Sequence, residues 1–546
     1  MSEKCGAKCL ITGTIKMKVA VIGAGTSGLA SIKCCLDEGL QPVCFERSDD
    51  IGGLWRYTPE VEDGRASIYE SVVTNTSKEM MCYSDFPFPE DYPNFLHNTK
   101  VVAYHRQYAE RFGLLKYIQF KTLVCSVKKH PDFPRTGQWE VVTEKDGKKQ
   151  ASTFEAVMVC NGHHTDPHYP LEIFPGINTF KGKYFHSREY KTSNGFKGKR
   201  ILVVGLGNSG ADIAVELSRT ASQVYLSTRR GCWVMSRVFD QGYPWDICYD
   251  TRFQTLLRNK LPTSTSIWLT EKKINEWFNH AHYGLQLRDS NHFKEPFVND
   301  ELPSRIICGY VVVKPTVTEF TETSVKFDDG SIEENIDVVV FATGYHYSFP
   351  FLDESIIKVD DNVNLYKSVF PKNLEKATLG VIGLIQPIGA IMTVSEMQAR
   401  WITRVFKGLC KLPSQDGIQK DIELKQKICL KRFGKDYSLE LDYIEYLEEL
   451  AQEIGCKPNI LGLLVTDPVL AFKLVFGPCT PAHYRLRGPG KWSMARKQIM
   501  TTYDRVLKPT RTRVVGTHEN KSLSIVYGLG ALCILSLLLA LAMYTK

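Results

Sequence analysis

Apolar runs and polar breaks divide the chain into strand–turn–helix units. Lys18–Ile22 (KVAVI) is a β-branched apolar run, followed by Gly23, Gly25 and Gly28. An amphipathic stretch continues to about Glu38 and stops at Gly39, and a second apolar run, Gln41–Phe45, closes at Glu46. The pattern predicts strand, tight turn, helix and strand, a complete βαβ unit. It recurs once: residues 201–204 are apolar, Gly205, Gly207 and Gly210 follow, a helix reaches about Arg219, and Gln223–Ser227 is the second strand. Residues 156–160 (AVMVC) and 338–342 (VVVFA) read as buried parallel strands. Each breaks at a glycine turn, Asn161-Gly162 and Thr343-Gly344, where the chain is predicted to cross between two domains. A later strand at 381–383 leads to Gln386, a candidate to close the first site.

The turns carry the chemistry. In the first unit Gly23 permits the tight turn, Gly25 lets backbone approach a pyrophosphate, and Gly28 lets helix and strand pack closely. The helix N-terminus adds amides and positive dipole. Glu46, 23 residues after Gly23, stands where a carboxylate accepts hydrogen bonds from ribose hydroxyls. In the second unit the same count from Gly205 reaches Thr228, and Arg229 and Arg230 come next. A hydroxyl and guanidinium groups in place of the carboxylate suit a 2′-phosphate. The first site therefore suits FAD and the second NADPH. Gly53, Leu54 and Trp55, soon after Glu46, offer backbone and a large side chain to a flat ligand. The predicted fold class is α/β, with two Rossmann-like dinucleotide-binding domains.

Residues 522–543 contain no charge over 22 positions. As a helix at about 1.5 Å per residue they span roughly 33 Å, enough to cross a bilayer core. Arg511, Arg513 and Lys521 flank them, which favours a cytosolic body. Length (546 residues) suits two or three domains. The net charge of +8 fits anionic cofactors or a membrane surface and does not call for nucleic acid. The 16 cysteines include no CxxC pair, and most sit in apolar runs such as those of Cys44, Cys125 and Cys160, as expected of reduced buried thiols. Cys160, His163, His164 and His168 have spacing compatible with metal ligation, but they fall at a strand end and domain crossing, and no metal is expected.

Between the two units, FKGKYFHSREY places Phe180, Gly182, His186 and Tyr190 in the spacing FxGxxxHxxxY. With GAGTSG, ERSDDIGGLW, TNTSKEMM, GLGNSG, FATGY and the apolar tail, this order resembles the flavin-containing monooxygenases of the vertebrate microsomal type over nearly the whole chain. Residues 1–16 are an N-terminal extension that departs from the family. The resemblance implies an NADPH domain, 168–345 with an insertion around 233–299, set into an FAD domain made of 17–167 and 346–510, the latter including a C-terminal helical region; 522–543 would be the transmembrane anchor. It implies oxygenation of soft nucleophilic nitrogen or sulfur atoms of small molecules with O2, through a C4a-hydroperoxyflavin, at the endoplasmic reticulum membrane with the catalytic body in the cytosol. It also implies that Asn75, in TNTSKEMM, sits near the flavin, and that Asn208, beside Ser209 in GLGNSG, lies between flavin and nicotinamide. His186 is either a marker with a catalytic part or a structural histidine.

Other readings stay open. A disulfide reductase of similar architecture needs a redox cysteine pair after the first unit, and only Cys82 occurs between residues 45 and 124. Baeyer–Villiger oxygenation, NADPH oxidase activity and a non-catalytic NADPH-binding membrane protein share the same glycine turns, and a homo-oligomer is neither required nor excluded. The aromatic stretch 233–299, with Trp245, Trp268, Trp277 and Phe278, suits substrate access, membrane contact or plain packing alike. Residues 413–455, acidic and basic by turns, are expected to form solvated helices.

Overall fold

The structure, a computed structural model, describes residues 17–287, 292–294, 296–357, 365–434 and 439–513. The N-terminal extension and the predicted anchor at 522–543 lie outside these residues. Among the described residues no helix is long and apolar enough to cross a membrane.

Two five-stranded parallel sheets carry the fold. The first has the order Leu379–Val381, Ala156–Val159, Lys18–Ile22, Gln41–Phe45, Ile118–Gln119. The second has the order Val311–Lys314, Gln223–Ser227, Arg200–Val204, Val338–Phe341, Lys183–His186. All strands of the second come from between the fourth and fifth chain-order strands of the first. Their central strands are buried on both faces: Val19, Ala20, Val21, Ile201, Leu202 and Val203 have no exposed surface. That is why their sequences read as continuous apolar runs rather than alternating ones.

The chain leaves the first sheet and returns to it at one place. Asp166–Pro167 pairs antiparallel with Tyr345–His346. His168 N donates to Gly344 O at 2.9 Å. His186 secures the same corner. Its Nδ1 accepts from Arg188 N at 3.2 Å, so Nε2 is the protonated nitrogen and donates to Gly344 O at 3.0 Å. The histidine of FxGxxxHxxxY thus holds the glycine of FATGY and is structural. Gly182 is required for packing, because a Cβ there would lie 2.6 Å from the Phe180 ring.

Helix Thr26–Asp37 packs against Ile391–Phe406, which in turn packs against Tyr443–Ile454. The last helix corrects the expectation of solvated helices over 413–455. It buries Tyr443, Ile444, Tyr446, Leu447, Leu450, Ala451 and Ile454, an apolar stripe at helical spacing concealed by intervening glutamates. Helix Gln415–Phe433 is largely exposed, as expected, burying Ile418, Ile422 and Phe433. Cys44 and Cys160 are buried, whereas Cys125 is half-exposed on an antiparallel sheet beside the first parallel one.

Candidate active site at the junction of the two sheets

The first glycine turn has little room for any other residue. Gly23 has φ +101°, and a Cβ there would lie 2.6 Å from Cys160 O. On Gly28 a Cβ would stand 1.8 Å from Gly23 O. Gly25 caps helix Thr26–Asp37 with no side-chain hydrogen bond, so the first amides remain available to a ligand. Glu46 is buried and braces the turn: Oε2 accepts from Ala24 N at 2.7 Å, and Oε1 from Ser48 N and Oγ, each at 2.8 Å. Gly53 comes so close to Gly25 that its Cβ would lie 2.9 Å from Gly25 Cα. The two glycines leave a slot walled by bare backbone.

That slot opens into a cavity of about 900 Å³. Gly23, Gly25, Glu46, Gly53, Leu54 and Trp55 line it on one side, and Asn75, Asn208 and Gln386 line it elsewhere. Gly28 lies behind the turn and shapes it without facing the cavity. The volume, the bare glycine backbone and the uncapped helix fit an extended dinucleotide such as FAD. His163 and His164 also line the cavity, and burial lowers their pKa values to about 3 and about 4, so both are neutral near pH 7. Burial pushes the Cys160 thiol up to about 12, which leaves it protonated and inert. Among the described residues no group of three or more His, Cys, Asp or Glu side chains could hold a metal.

The second turn repeats the first. Gly205 has φ +108°, with Ala342 O 2.4 Å from its would-be Cβ, and a Cβ on Gly210 would lie 2.1 Å from Gly205 O. Gly207 has open space beside it and caps helix Asn208–Leu217 without a side-chain bond. The Thr228 hydroxyl accepts from Gly231 N at 3.1 Å, shaping the turn in which Arg229 and Arg230 stand exposed. Gly205, Gly207, Ser209, Gly210, Thr228 and Arg229 do not line the 900 Å³ cavity. They surround the carboxyl end of the second sheet, where such folds bind dinucleotides. Asn208 alone belongs to both groups.

The structure brings the two asparagines together: Asn75 Nδ2 donates to Asn208 Oδ1 at 2.8 Å, across 133 residues of chain. Sequence reasoning missed what surrounds them. Arg237 donates through an Nη to Asn75 Oδ1 at 2.7 Å and through Nε to Thr74 O at 3.1 Å. Trp245 Nε1 donates to Asn75 O at 2.8 Å, and Ser77 N to Asp246 Oδ2 at 2.6 Å. Burial raises the Asp246 carboxyl to about 6. The 233–299 stretch therefore grips the Asn75 loop, while its Trp268 and Trp277 are exposed. Tyr69 and Asp212 also line the cavity. The Tyr69 hydroxyl donates to Asp212 Oδ2 at 2.6 Å, and Asn299 Nδ2 to Asp212 Oδ1 at 2.7 Å. No motif marks these residues, and their partners are more than 80 positions away.

Comparison with known proteins gives the same picture. The sequence profile of the flavin-binding monooxygenase-like family matches residues 16–546. The chain is 59% identical over 506 residues to dimethylaniline monooxygenase (N-oxide-forming) 2 of Macaca mulatta, covering 92% of this chain and 95% of that protein. It is 58% identical over 510 residues to flavin-containing monooxygenase 2 of Homo sapiens, covering 93% and 95%. Among solved structures, S-allyl-L-cysteine S-oxygenase from Allium sativum superposes with a TM-score of 0.61 at 25% identity, covering 90% of this chain and 99% of that one. Two glycine turns, the cavity at the first of them and these matches together establish that the chain belongs to the flavin-binding monooxygenase family and is an oxidoreductase that works with FAD and NADPH.

Proposed function

We propose that this monooxygenase transfers one oxygen atom of O2 to a soft nucleophilic nitrogen or sulfur of a small molecule, and that Asn75 and Asn208 form the point where that oxygen is held. The observation that carries the reading is the contact between these two amides, one from the segment after the first glycine-turn unit and one from the second turn, inside the cavity of the first. The names of the similar proteins, an N-oxide-forming monooxygenase and an S-oxygenase, support this substrate class.

FAD, when bound, supplies the redox chemistry, taking hydride from NADPH and activating O2. The protein binds, orients and shields. The Gly25–Gly53 slot and the first helix N-terminus receive the FAD pyrophosphate, and Glu46 accepts from its ribose. Gly53, Leu54, Trp55 and Gln386 wall the flavin. Gly205, Gly207, Ser209 and Gly210 present backbone to NADPH, and Thr228, Arg229 and Arg230 receive its 2′-phosphate. An amide holds an oxygen without moving a proton, and the neutral His163 and His164 place no cation against the flavin.

We further propose that residues 522–543 anchor the enzyme in the endoplasmic reticulum membrane with its body in the cytosol. Phe253, Leu256, Leu257, Trp268 and Leu269, with Leu461, Val465 and Val469, expose apolar side chains on surface helices, which supports contact with lipid.

The test is a stopped-flow experiment on the full chain in detergent. The enzyme is reduced anaerobically with NADPH and mixed with O2 while flavin absorbance is recorded. An oxygenated flavin spectrum that persists, and decays faster when a thioether or tertiary amine is added, is expected. Direct reoxidation with release of H2O2 under both conditions overturns the substrate reading, and a protein without bound flavin overturns the function.

A further inference from the structure

An asparagine amide is ambiguous, since either end can face a neighbour. Here both ends of the Asn75–Asn208 pair are fixed by groups that only donate. A guanidinium has no acceptor, so the Asn75 atom 2.7 Å from Arg237 is the carbonyl oxygen. A main-chain N–H has none either, so the Asn208 atom 3.2 Å from Val298 N is also the carbonyl oxygen. The amide of Asn75 must then donate to Asn208 Oδ1, as it does at 2.8 Å. Asn208 Oδ1 takes two donors and Asn75 Oδ1 is turned to Arg237, so the groups left to face a ligand include one N–H of Asn75 and the NH2 group of Asn208. Both residues line the cavity.

Arg237 is itself held. Asp300 Oδ2 accepts from its Nη at 2.8 Å, and Asp300 Oδ1 accepts from Arg237 N at 2.7 Å and Ser236 Oγ at 2.9 Å. We infer that Arg237 is the positioning residue that sets the polarity of the Asn75–Asn208 pair, so that the cavity meets N–H donors there and the pair holds an oxygen carrying lone pairs or negative charge. The inference deepens the function proposed above and rests on it. An amide turned the other way would present its carbonyl to that oxygen and repel it.

The consequence is read as the fate of NADPH. When oxygen is transferred, NADPH, H⁺, O2 and substrate give NADP⁺, water and oxygenated product; when it is not, NADPH, H⁺ and O2 give NADP⁺ and H2O2. The experiment measures product, H2O2 and NADPH consumed with a thioether, in the full chain, for Arg237→Met, Asn75→Ala and the double variant. Arg237→Met is expected to keep its FAD and to lower the ratio of product to H2O2 about tenfold, the size of one charge-assisted hydrogen bond. In the Asn75→Ala background the same change should cause no further fall, because the residue it acts through is gone. Independent losses that multiply in the double variant, or an unchanged ratio in Arg237→Met, overturn the inference. If Arg237→Met fails to retain FAD, Asp300→Asn takes its place in the same cycle, with a smaller fall expected that also disappears with Asn75→Ala. Wild-type enzyme that forms no sulfoxide overturns the function itself, whereas wild-type turnover with multiplying losses overturns this inference alone.

Discussion

At the scale of single residues, the glycine turns are legible in sequence because their geometry is local. The spacing of Gly23, Gly25 and Gly28 is enough to place a strand, a turn and a helix, and the structure adds the distances that exclude other residues. Gly28→Ala would put a methyl group 1.8 Å from Gly23 O, so strand and helix must separate. It should cost roughly 1–3 kcal/mol and reduce bound FAD, read as the flavin-to-protein absorbance ratio after gel filtration. Arg229 and Arg230 stand exposed beyond the second strand. Replacing both with alanine should raise the Kd for NADPH at least tenfold and leave that for NADH nearly unchanged; equal losses would remove the 2′-phosphate assignment. Arg237, by contrast, was not legible. It is one arginine in an aromatic stretch, and its meaning comes from a partner 162 positions away.

At the scale of elements, two contacts make predictions. His186 ties its own strand end to the FATGY turn, and burial, the largest effect on it, holds its pKa at about 4. Unfolded, the same side chain titrates near 6.5, so the unfolded chain takes up a proton first as pH falls. The contribution of His186 to stability is therefore complete above pH 6.5 and is lost progressively down to about pH 4. Over that window His186→Gln should show a shallower dependence of Tm on pH than wild type; identical slopes would mean that the imidazole does not stay neutral in the fold. The second contact lies between the short helix Lys78–Met81, which follows the Asn75 loop, and the helix Thr502–Leu507. Arg505 Nε donates to Glu79 at 3.0 Å, and fully buried Lys78 donates to Glu79 Oε1 at 2.7 Å and to Arg505 O at 3.0 Å. Arg505→Ala would strip a buried carboxylate of one of its two cations. A loss of about 3–5 kcal/mol in denaturant unfolding is expected, with the Asn75 loop loosened as well. Helix Tyr443–Ile454 shows why element type was easier to read than burial: its apolar positions keep helical spacing, but the four glutamates among its 12 residues give the stretch a charged look.

At the scale of the whole molecule, the sequence carries the central strands of the two parallel sheets because they are continuous apolar runs; the edge strands Ile118–Gln119 and Lys183–His186 are short or polar and give no such signal. It does not carry the way the two units meet. The Asn75–Asn208 contact, the Tyr69–Asp212–Asn299 set and the grip of 233–299 on the Asn75 loop all join segments that no periodicity links. Location also belongs to this scale. A chain ending at Lys521 should appear in the soluble fraction after carbonate extraction while the full chain stays in the pellet; retention of both would move the attachment from the tail to the exposed apolar helices.

The pairing of Asp166–Pro167 with Tyr345–His346 sets the way in and the way out of the second sheet side by side. Everything between them is a cassette on a two-stranded stem. Such a segment could enter a gene in one insertion event without opening the sheet that received it. For the same reason a homologous segment with a different cofactor preference could be grafted at the same two points, provided it keeps the contacts that Arg237 and Trp245 make with the Asn75 loop.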